Sequence, residues 1–508
     1  MRILIFHGYL LGGTGSNVYN SALAEALVVA GHEVHLLCQD REPFEQAWVD
    51  AAGHWDSGSL ELTTRRDPAR ATVYRPDLGG LLPLYVADRY EGTEARPFVE
   101  LSDEEVERYL ERNVAAVREV AEAVRPEVAL ANHLVMGPAV LARALADVPY
   151  AVKAHGSALE YTVKRDARFK PFAAEGLARA GGILVGSRHT AESLWEEMAA
   201  DDVRERTRLG PPGVDVHRFT PRGADGAREG LAALRDRLGG AADSSPAAAP
   251  TSSFARREGE AAAALATIAP DDRVVVFVGK LIGSKGVELL LAAWPLVLAA
   301  EPRARLVVVG FGGFREGLER LSAQLAAGDL DGARETRAED GRELPWLAAF
   351  LDGLRDPDAY REAARGMTDR IAWAGRLDHA ELADLLPAAE AMAVTSTFPE
   401  AFGMVAAEAA ACGALPVVAN HSGLGEVART LAEAVPEPAR GWLTFEVGPD
   451  AVDGLAAGLS GWLAAPAELR EETRRAIVAA TRERYSWEGV ARTVVAAARG
   501  ELDGLSRP

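Results

Sequence analysis

Short apolar runs rich in β-branched residues recur along the chain, each closed by a glycine or polar residue and followed by an alanine-rich stretch. The first is ILIFHG; after a helix expected near Ser21 to Ala30 come HEVHLLC, EVALANH, YAVKAHG and GGILVGS. Strand then helix, repeated, predicts a parallel sheet wound by helices over residues 1–215. Between about Asp40 and Arg108 the pattern weakens into a stretch rich in Arg, Pro and Gly with isolated aromatics such as Tyr85 and Tyr90, which predicts an excursion over the cleft side.

Residues 222–270 change to Ala, Ser, Gly and Pro, with too few large apolar groups to offset the entropy of ordering, and predict a linker or disordered insertion. The alternation restarts with RVVVFVG, a helix at about Gly286 to Ala299, RLVVVG, RIAWAG, AMAVTS and LPVVAN, so a second wound sheet is expected over residues 271–484. Residues 316–368 are polar and helical and longer than a simple crossover needs, which predicts a helical insertion. The run YSWEGVARTVVAAARG, within residues 485–508, predicts a helix packing back on the first domain.

Length agrees with this division, because 508 residues exceed what one core of roughly 250 to 300 residues holds. Apolar residues at 48% and charged residues at 26% describe a globular chain. A formal charge of -20 argues against holding nucleic acid by general electrostatics, so any anion site has to be local. Cys38 and Cys412, each in an apolar stretch, predict reduced core thiols and neither a disulfide nor a metal site. The opening MRILIFHGYL reads as a first strand rather than a signal peptide, and no window approaches about 18 uncharged apolar residues. A cytoplasmic location is expected, with peripheral contact at a membrane surface left open.

In a wound parallel sheet the ligand lies beyond the carboxyl ends of the strands, so the residues after each apolar run carry the chemistry. After the first run, GYLLGGTGSNVY offers Gly12, Gly13 and Gly15, which permit close approach of backbone to phosphate; a tight turn explains the same glycines. His155 and Gly156 end a later strand, and Asn132 and His133 end another, the last two read as structural. In FVGKLIGSKGVELLL, Lys280 follows a strand and Lys285 precedes a helix beside Gly283 and Gly286, a site for a diphosphate or else two solvated lysines. In STFPEAFGMVAAEAAACGALPVVAN, Glu400 and Glu408 lie eight residues apart, two helical turns if the helix begins early. A carboxylate among so many alanines needs a polar partner, which sugar and ribose hydroxyls would supply; the competing reading is the exposed face of an amphipathic helix.

Taken in order, the loop GGTGSNVY, the His155-Gly156 pair, PPGVDVHRF, GKLIGSKG, VVVGFGG and the Glu-x7-Glu segment resemble the family 4 glycosyltransferases over nearly the whole chain. The resemblance implies an α/β architecture of two Rossmann-like, doubly wound parallel-sheet domains facing a central cleft (GT-B), with an acceptor-side first domain and a nucleotide-sugar-binding second domain. It implies that Lys280 and Lys285 hold the donor diphosphate, that Glu408 binds the ribose hydroxyls and that Glu400 touches the transferred sugar. By the same resemblance, backbone amides of Phe402, Gly403 and Met404 contact sugar or phosphate, His155 stands by the reacting sugar, and the loop Gly13, Thr14 and Gly15 closes on the diphosphate. Lys280 departs from the arginine usual in the family, a point charge replacing a bidentate fork.

The implied reaction is retaining, metal-independent transfer of a hexose from a UDP- or GDP-sugar to a hydroxyl acceptor, with no cofactor. The acidic pair in Asp356-Pro357-Asp358 has the letters of a metal motif but falls in the helical insertion. A glycogen- or starch-type glucan synthase and a catalytically silent sugar-nucleotide-binding protein remain alternatives. A dehydrogenase is disfavoured, since Val18 and Arg315 stand where G-x-G-x-x-G requires its third glycine.

Overall fold

A computed structural model of the protein describes residues 1–12, 15–56, 58–85, 94–242 and 258–508. The chain forms two compact units, one of Met1–Gly213 with Tyr485–Pro508 and the other of Val214–Arg484.

The first unit holds strands β1 (Arg2–Phe6), β2 (Glu33–Leu37), β3 (Ala51–Asp56), β4 (Ser59–Thr64) and β5 (Ala71–Arg75). A separate pair, β6 (Leu81–Leu84) and β7 (Glu94–Pro97), precedes β8 (Val128–Asn132), β9 (Tyr150–Ala154), β10 (Gly182–Val185) and β11 (Thr207–Leu209). Its nine-stranded sheet runs β11-β10-β9-β8-β1-β2-β5-β3-β4, parallel except for the β3/β4 hairpin. Helices cover both faces, so β8 and β9 are buried at every position and read as continuous apolar runs rather than alternating ones. The helix Gly15–Val29 buries Tyr19, Leu23 and Leu27, four residues apart, while Val490, Ala491 and Val494 of the helix Trp487–Ala498 join the same core beside Ile3, Ile5 and Leu130.

The stretch from Asp40 to Arg108 is therefore no mere excursion, because β3, β4 and β5 widen the sheet. Its pattern was weak for a physical reason: β4, SLELTT, is a short, mostly exposed edge strand that carries only Leu60 and Leu62 on one face, with Leu62 largely exposed.

The second unit holds β12 (Arg273–Val278), β13 (Ala304–Val309), β14 (Ile371–Gly375), β15 (Ala391–Val394), β16 (Leu415–Ala419) and β17 (Thr444–Phe445) in a parallel sheet ordered β14-β13-β12-β15-β16-β17. Four α-helices and a 3-10 turn (Met367–Arg370) lie between β13 and β14, and Asp356 caps one helix, Pro357–Ala364, by accepting from the Ala359 amide at 3.0 Å. Residues 222–270 are not simply a linker. They carry helices Gly223–Ala242 and Glu258–Ala266 within the second unit, while residues 243–257 lie outside the described residues. Alanine sustains the first of these helices, and Leu231, Leu234 and Leu238, at intervals of three and four, give it one apolar stripe, with Leu234 and Leu238 fully buried.

In each sheet the connections leaving in opposite directions from one adjacent pair of strands open a crevice beyond their carboxyl ends. In the first unit that pair is β1 and β8, and in the second β12 and β15. Gly286 makes the second crevice possible: its φ is +63°, and a Cβ there would stand 2.0 Å from the carbonyl oxygen of Thr395, just past β15. Gly286→Ala is expected to destabilise the second unit by at least about 3 kcal/mol in urea unfolding. Gly341→Ala, at a φ of +82° with nothing within 4 Å, is expected to cost only about 1 kcal/mol.

Candidate active site

In the second unit β12 leads into Gly279, Lys280 and the short turn Gly283–Lys285 before the helix Val287–Ala300, while β15 leads into Thr395, Ser396 and Glu400. The two loops are tied together. The Thr397 amide donates to the Ser284 carbonyl at 3.0 Å, and the Thr395 hydroxyl donates to the Lys285 carbonyl at 2.8 Å. Across this seam the Lys285 ammonium pairs with Glu400 Oε1, which also accepts from the Ser396 hydroxyl at 2.6 Å. Lys285 and Glu400 are both part-buried, so the pair is neither a free surface contact nor sealed from solvent.

Glu400 itself is held by its backbone. Its amide donates to the Ser422 hydroxyl at 2.8 Å, and its carbonyl accepts from the Gly423 amide at 2.9 Å. The helix Met404–Cys412 starts four residues after Glu400, so Glu400 and Glu408 do not share a helical face as expected; the Pro399 and Gly403 turn keeps the chain open until Gly403. Gly403 gives this helix no side-chain cap, and Gly286 and His421 leave the helices Val287–Ala300 and Ser422–Ala432 uncapped in the same way. Three helices thus begin beyond the carboxyl ends of this sheet without a side-chain cap, although the Gly423 amide in the first turn of the third is already taken by the Glu400 carbonyl. Phe402 is half-buried, and Met404 opens the second of these helices.

Lys280 is exposed and makes no hydrogen bond or ion pair among the described residues. Burial pushes the Glu288 carboxyl, in the first helical turn after Lys285, up to about 8, so it is neutral at pH 7 and does not offset the lysines.

Glu408 is 3% exposed, which removes the reading of an exposed helical face. Its carboxylate meets His379 Nε2 at 2.7 Å, a partner that sequence reasoning missed. The signal was present: Asp378 and Glu381 form a capping box that fixes a helix start just past β14 and sets His379 as its first residue. Burial alone would lower the His379 value, but the adjacent Glu408 charge and hydrogen bond outweigh it and raise it.

In the first unit His155 ends β9, and its Nε2 donates to Asn132 Oδ1, 3.0 Å away past β8. Tyr19 meets the imidazole edge-on at 5.2 Å, and His133 lies 4.8 Å away. Burial, then the neighbouring His133, Lys153 and His7, hold His155 well below the usual histidine range, so it is neutral. Asn132, read from sequence as structural only, is what fixes the tautomer of His155. Gly15 begins a helix, whereas Gly13 and Thr14 lie outside the described residues. His7, also missed, secures that helix start. Its Nε2 donates to Asn17 Oδ1 and the Leu10 carbonyl, each at 3.0 Å, and its Nδ1 accepts from the Asn20 amide at 3.0 Å. Beyond β1, β2 and β5 lies a cavity of about 420 Å³ lined by charges of both signs, among them Asp40, Arg41, Arg75 and Asp77.

Known family models match most of the chain. A family model described as glycosyl transferases group 1 matches residues 263–329 and 358–484, and one described as a glycosyl transferase 4-like domain matches residues 14–207. A D-inositol 3-phosphate glycosyltransferase of Segniliparus rotundus is 32% identical over 49% of this chain and 45% of its own length, and one of Catenulispora acidiphila is 31% identical over 61% and 53%. The chain thus spans about half the length of these relatives. Glycogen synthase of Mycobacterium tuberculosis is 25% identical over 99% of this chain and 96% of its own. Among solved structures, HepE of Anabaena in complex with UDP aligns with a TM-score of 0.57 at 16% identity, over 99% of this chain and 100% of that one. The catalytic domain of starch synthase IV from Arabidopsis thaliana, bound to ADP and acarbose, aligns at 0.56 and 13% over 98% and 99%.

The fold is that of the GT-B glycosyltransferases. Within that class, the chain belongs to the glycosyl transferases group 1, the family 4 glycosyltransferases. Among the described residues, no helix is long and apolar enough to cross a membrane.

The raised His379 value fixes the sign of a pH effect. The pair with Glu408 contributes its full stability below the unfolded histidine value of about 6.5 and loses it as pH rises through the higher folded value. The urea midpoint of wild type should therefore exceed that of His379→Gln most at about pH 6, with the gap shrinking above neutrality; a gap that widens with pH would contradict the assignment.

Proposed function

We propose that this chain is a retaining glycosyltransferase that moves a hexose from a UDP- or GDP-sugar to a hydroxyl acceptor without a divalent metal. The observation that carries this reading is the Lys285–Glu400 pair closing the seam between the loops after β12 and β15, with the buried Glu408 one element away. A donor diphosphate entering the crevice would draw the Lys285 ammonium from Glu400 to itself, with Lys280 as a second cation. Glu400, released, would accept hydroxyls of the transferred sugar. Glu408, already oriented by His379, would accept from the ribose hydroxyls, and amides at Phe402, Gly403 and Met404 would donate to sugar or phosphate oxygens.

As the bond from the anomeric carbon to the diphosphate oxygen breaks, negative charge grows on the leaving group. Lysines and uncapped helix starts stabilise that charge, the task a metal ion performs elsewhere. The acceptor oxygen bonds the anomeric carbon from the face the diphosphate leaves, and its proton passes to a diphosphate oxygen, so configuration is kept. His155, neutral and fixed by Asn132, would by the family resemblance hydrogen-bond a hydroxyl of the transferred sugar. The mixed-charge cavity beyond β1, β2 and β5 suits a polar, hydroxyl-rich acceptor.

The D-inositol 3-phosphate glycosyltransferases support a small phosphorylated acceptor. A specific observation favours a second reading, a glucan synthase: the glycogen synthase match extends over nearly the whole of both chains.

Lys285→Ala should lower sugar transfer, or slow release of free nucleotide from the donor, by about 100-fold or more with little change in melting temperature; wild-type turnover would remove the assignment. Chelator should leave the rate of the wild-type chain intact, and complete loss restored by magnesium would contradict the metal-free mechanism. In a panel of UDP-, GDP- and ADP-sugars, one base should raise the melting temperature by several degrees more than the others.

A further inference from the structure

A second cavity lies apart from Lys285, Glu400 and the other residues of the candidate site. It measures about 850 Å³, within the range of small-molecule sites, and lies in the second unit along the helices Gly223–Ala242 and Ala467–Tyr485, reaching Cys412 and Gly413. Six arginines line it: Arg222, Arg228 and Arg235 on or beside the first helix, and Arg474, Arg475 and Arg482 on the second. In a chain of net charge -20 this is a marked reversal of sign.

Only three carboxylates share the lining, and each is already engaged. Asp272 accepts from Arg305 at 2.5 Å and Arg370 at 3.0 Å. Glu390 pairs with Arg474, with Arg470 at 3.3 Å and with Arg273 at 3.4 Å, and Glu471 meets Arg475 at 3.4 Å. Four of those arginines stand outside the lining and, with Arg474, outnumber Asp272 and Glu390, although Arg273 also faces Glu301 at 3.9 Å. The exposed heads are held weakly: Arg228 pairs with Asp225 three residues away, Arg235 lies 3.6 Å from Asp236, and Arg482 donates to the Thr220 hydroxyl at 2.9 Å. Leu231, Ile268, Pro387 and Val478 give the same cavity an apolar side. Guanidinium groups lining one cavity beside apolar surface match a phosphate carried on a ring.

Two helices run from this cavity to Glu408. The helix Met404–Cys412 carries Glu408 and ends at the lining residue Cys412. The helix His379–Leu385 begins at the Glu408 partner and carries Asp384, which the lining residue Arg222 engages at 2.7 Å.

We propose that this cavity is a second ligand site, for an organic phosphomonoester, and that its occupancy is coupled through these two helices to the nucleotide site at Glu408. Binding stands on the cavity alone; the coupling rests on the donor reading of Glu408. The test is titration calorimetry of adenosine 5′-monophosphate and glucose 6-phosphate, with inorganic phosphate and adenosine as controls. Each is titrated into the full chain, into Glu408→Ala and into the double variant Arg228→Glu, Arg475→Glu. At least one phosphomonoester should bind the full chain and Glu408→Ala alike, and at least about tenfold more weakly the double variant and, for the controls, the full chain. Should the double variant misfold, Arg235→Glu with Arg482→Glu serves in its place. No saturable binding by either phosphomonoester, binding that survives charge reversal, binding lost in Glu408→Ala, or inorganic phosphate binding equally well would overturn the site. With the cavity saturated, the affinity for the tightest of UDP, GDP and ADP should change at least about threefold, and reciprocally. An unchanged affinity overturns the coupling, while failure of all three nucleotides to bind overturns the donor reading and leaves the first titration standing.

Discussion

The candidate site hangs on one contact, the pairing of the Lys285 ammonium with the Glu400 carboxylate over the point where strand order reverses in the second sheet. Only adjacent strands whose connections leave in opposite directions bring two such loops together with an open crevice above them. The contact in turn demands Gly286, whose missing side chain lets the β12 loop lie against Thr395. A cation and an anion held at part burial are strongly enough coupled to stay ordered and weakly enough to exchange partners when a more highly charged group arrives.

Around that pair the backbone supplies what side chains do not. Three helices start without a side-chain cap at the same end of the sheet, so their first amides add positive potential where the lysines stand. Glu288, the nearest helical carboxylate in sequence, is neutralised by burial. Glu408, buried inside an alanine helix, is met there by His379. The opposite end of that helix, at Cys412, borders an arginine-lined cavity, and one rigid element thereby touches both places.

Much of this was legible in the sequence, and the gaps have physical causes. The β-rich runs marked the buried strands because both sheet faces are covered, whereas the short, mostly exposed edge strand β4 offered only the Leu60 and Leu62 alternation. Residues 222–270 looked like linker because alanine contributes little to hydrophobic patterning while favouring helix; three spaced leucines were enough to pack the first helix. Lys285, Glu400 and Glu408 were visible as charges at strand ends or within an apolar helix. Their true partners were not, since Glu400 lies before the helix rather than on it, and His379 arrives from 29 residues away in the chain. Asn132 was read only as structural and His7 was not singled out for the same reason: a residue that positions another is defined by contact, not by local pattern.

The central claim is that a nucleoside diphosphate displaces Glu400 from Lys285. A crystal structure of the chain with the preferred nucleoside diphosphate bound tests it most directly. The account predicts phosphate oxygens within ion-pair distance of Lys285, ribose hydroxyls on Glu408 and the lysine no longer on Glu400; a nucleotide seated elsewhere, with the Lys285–Glu400 pair intact, would contradict it.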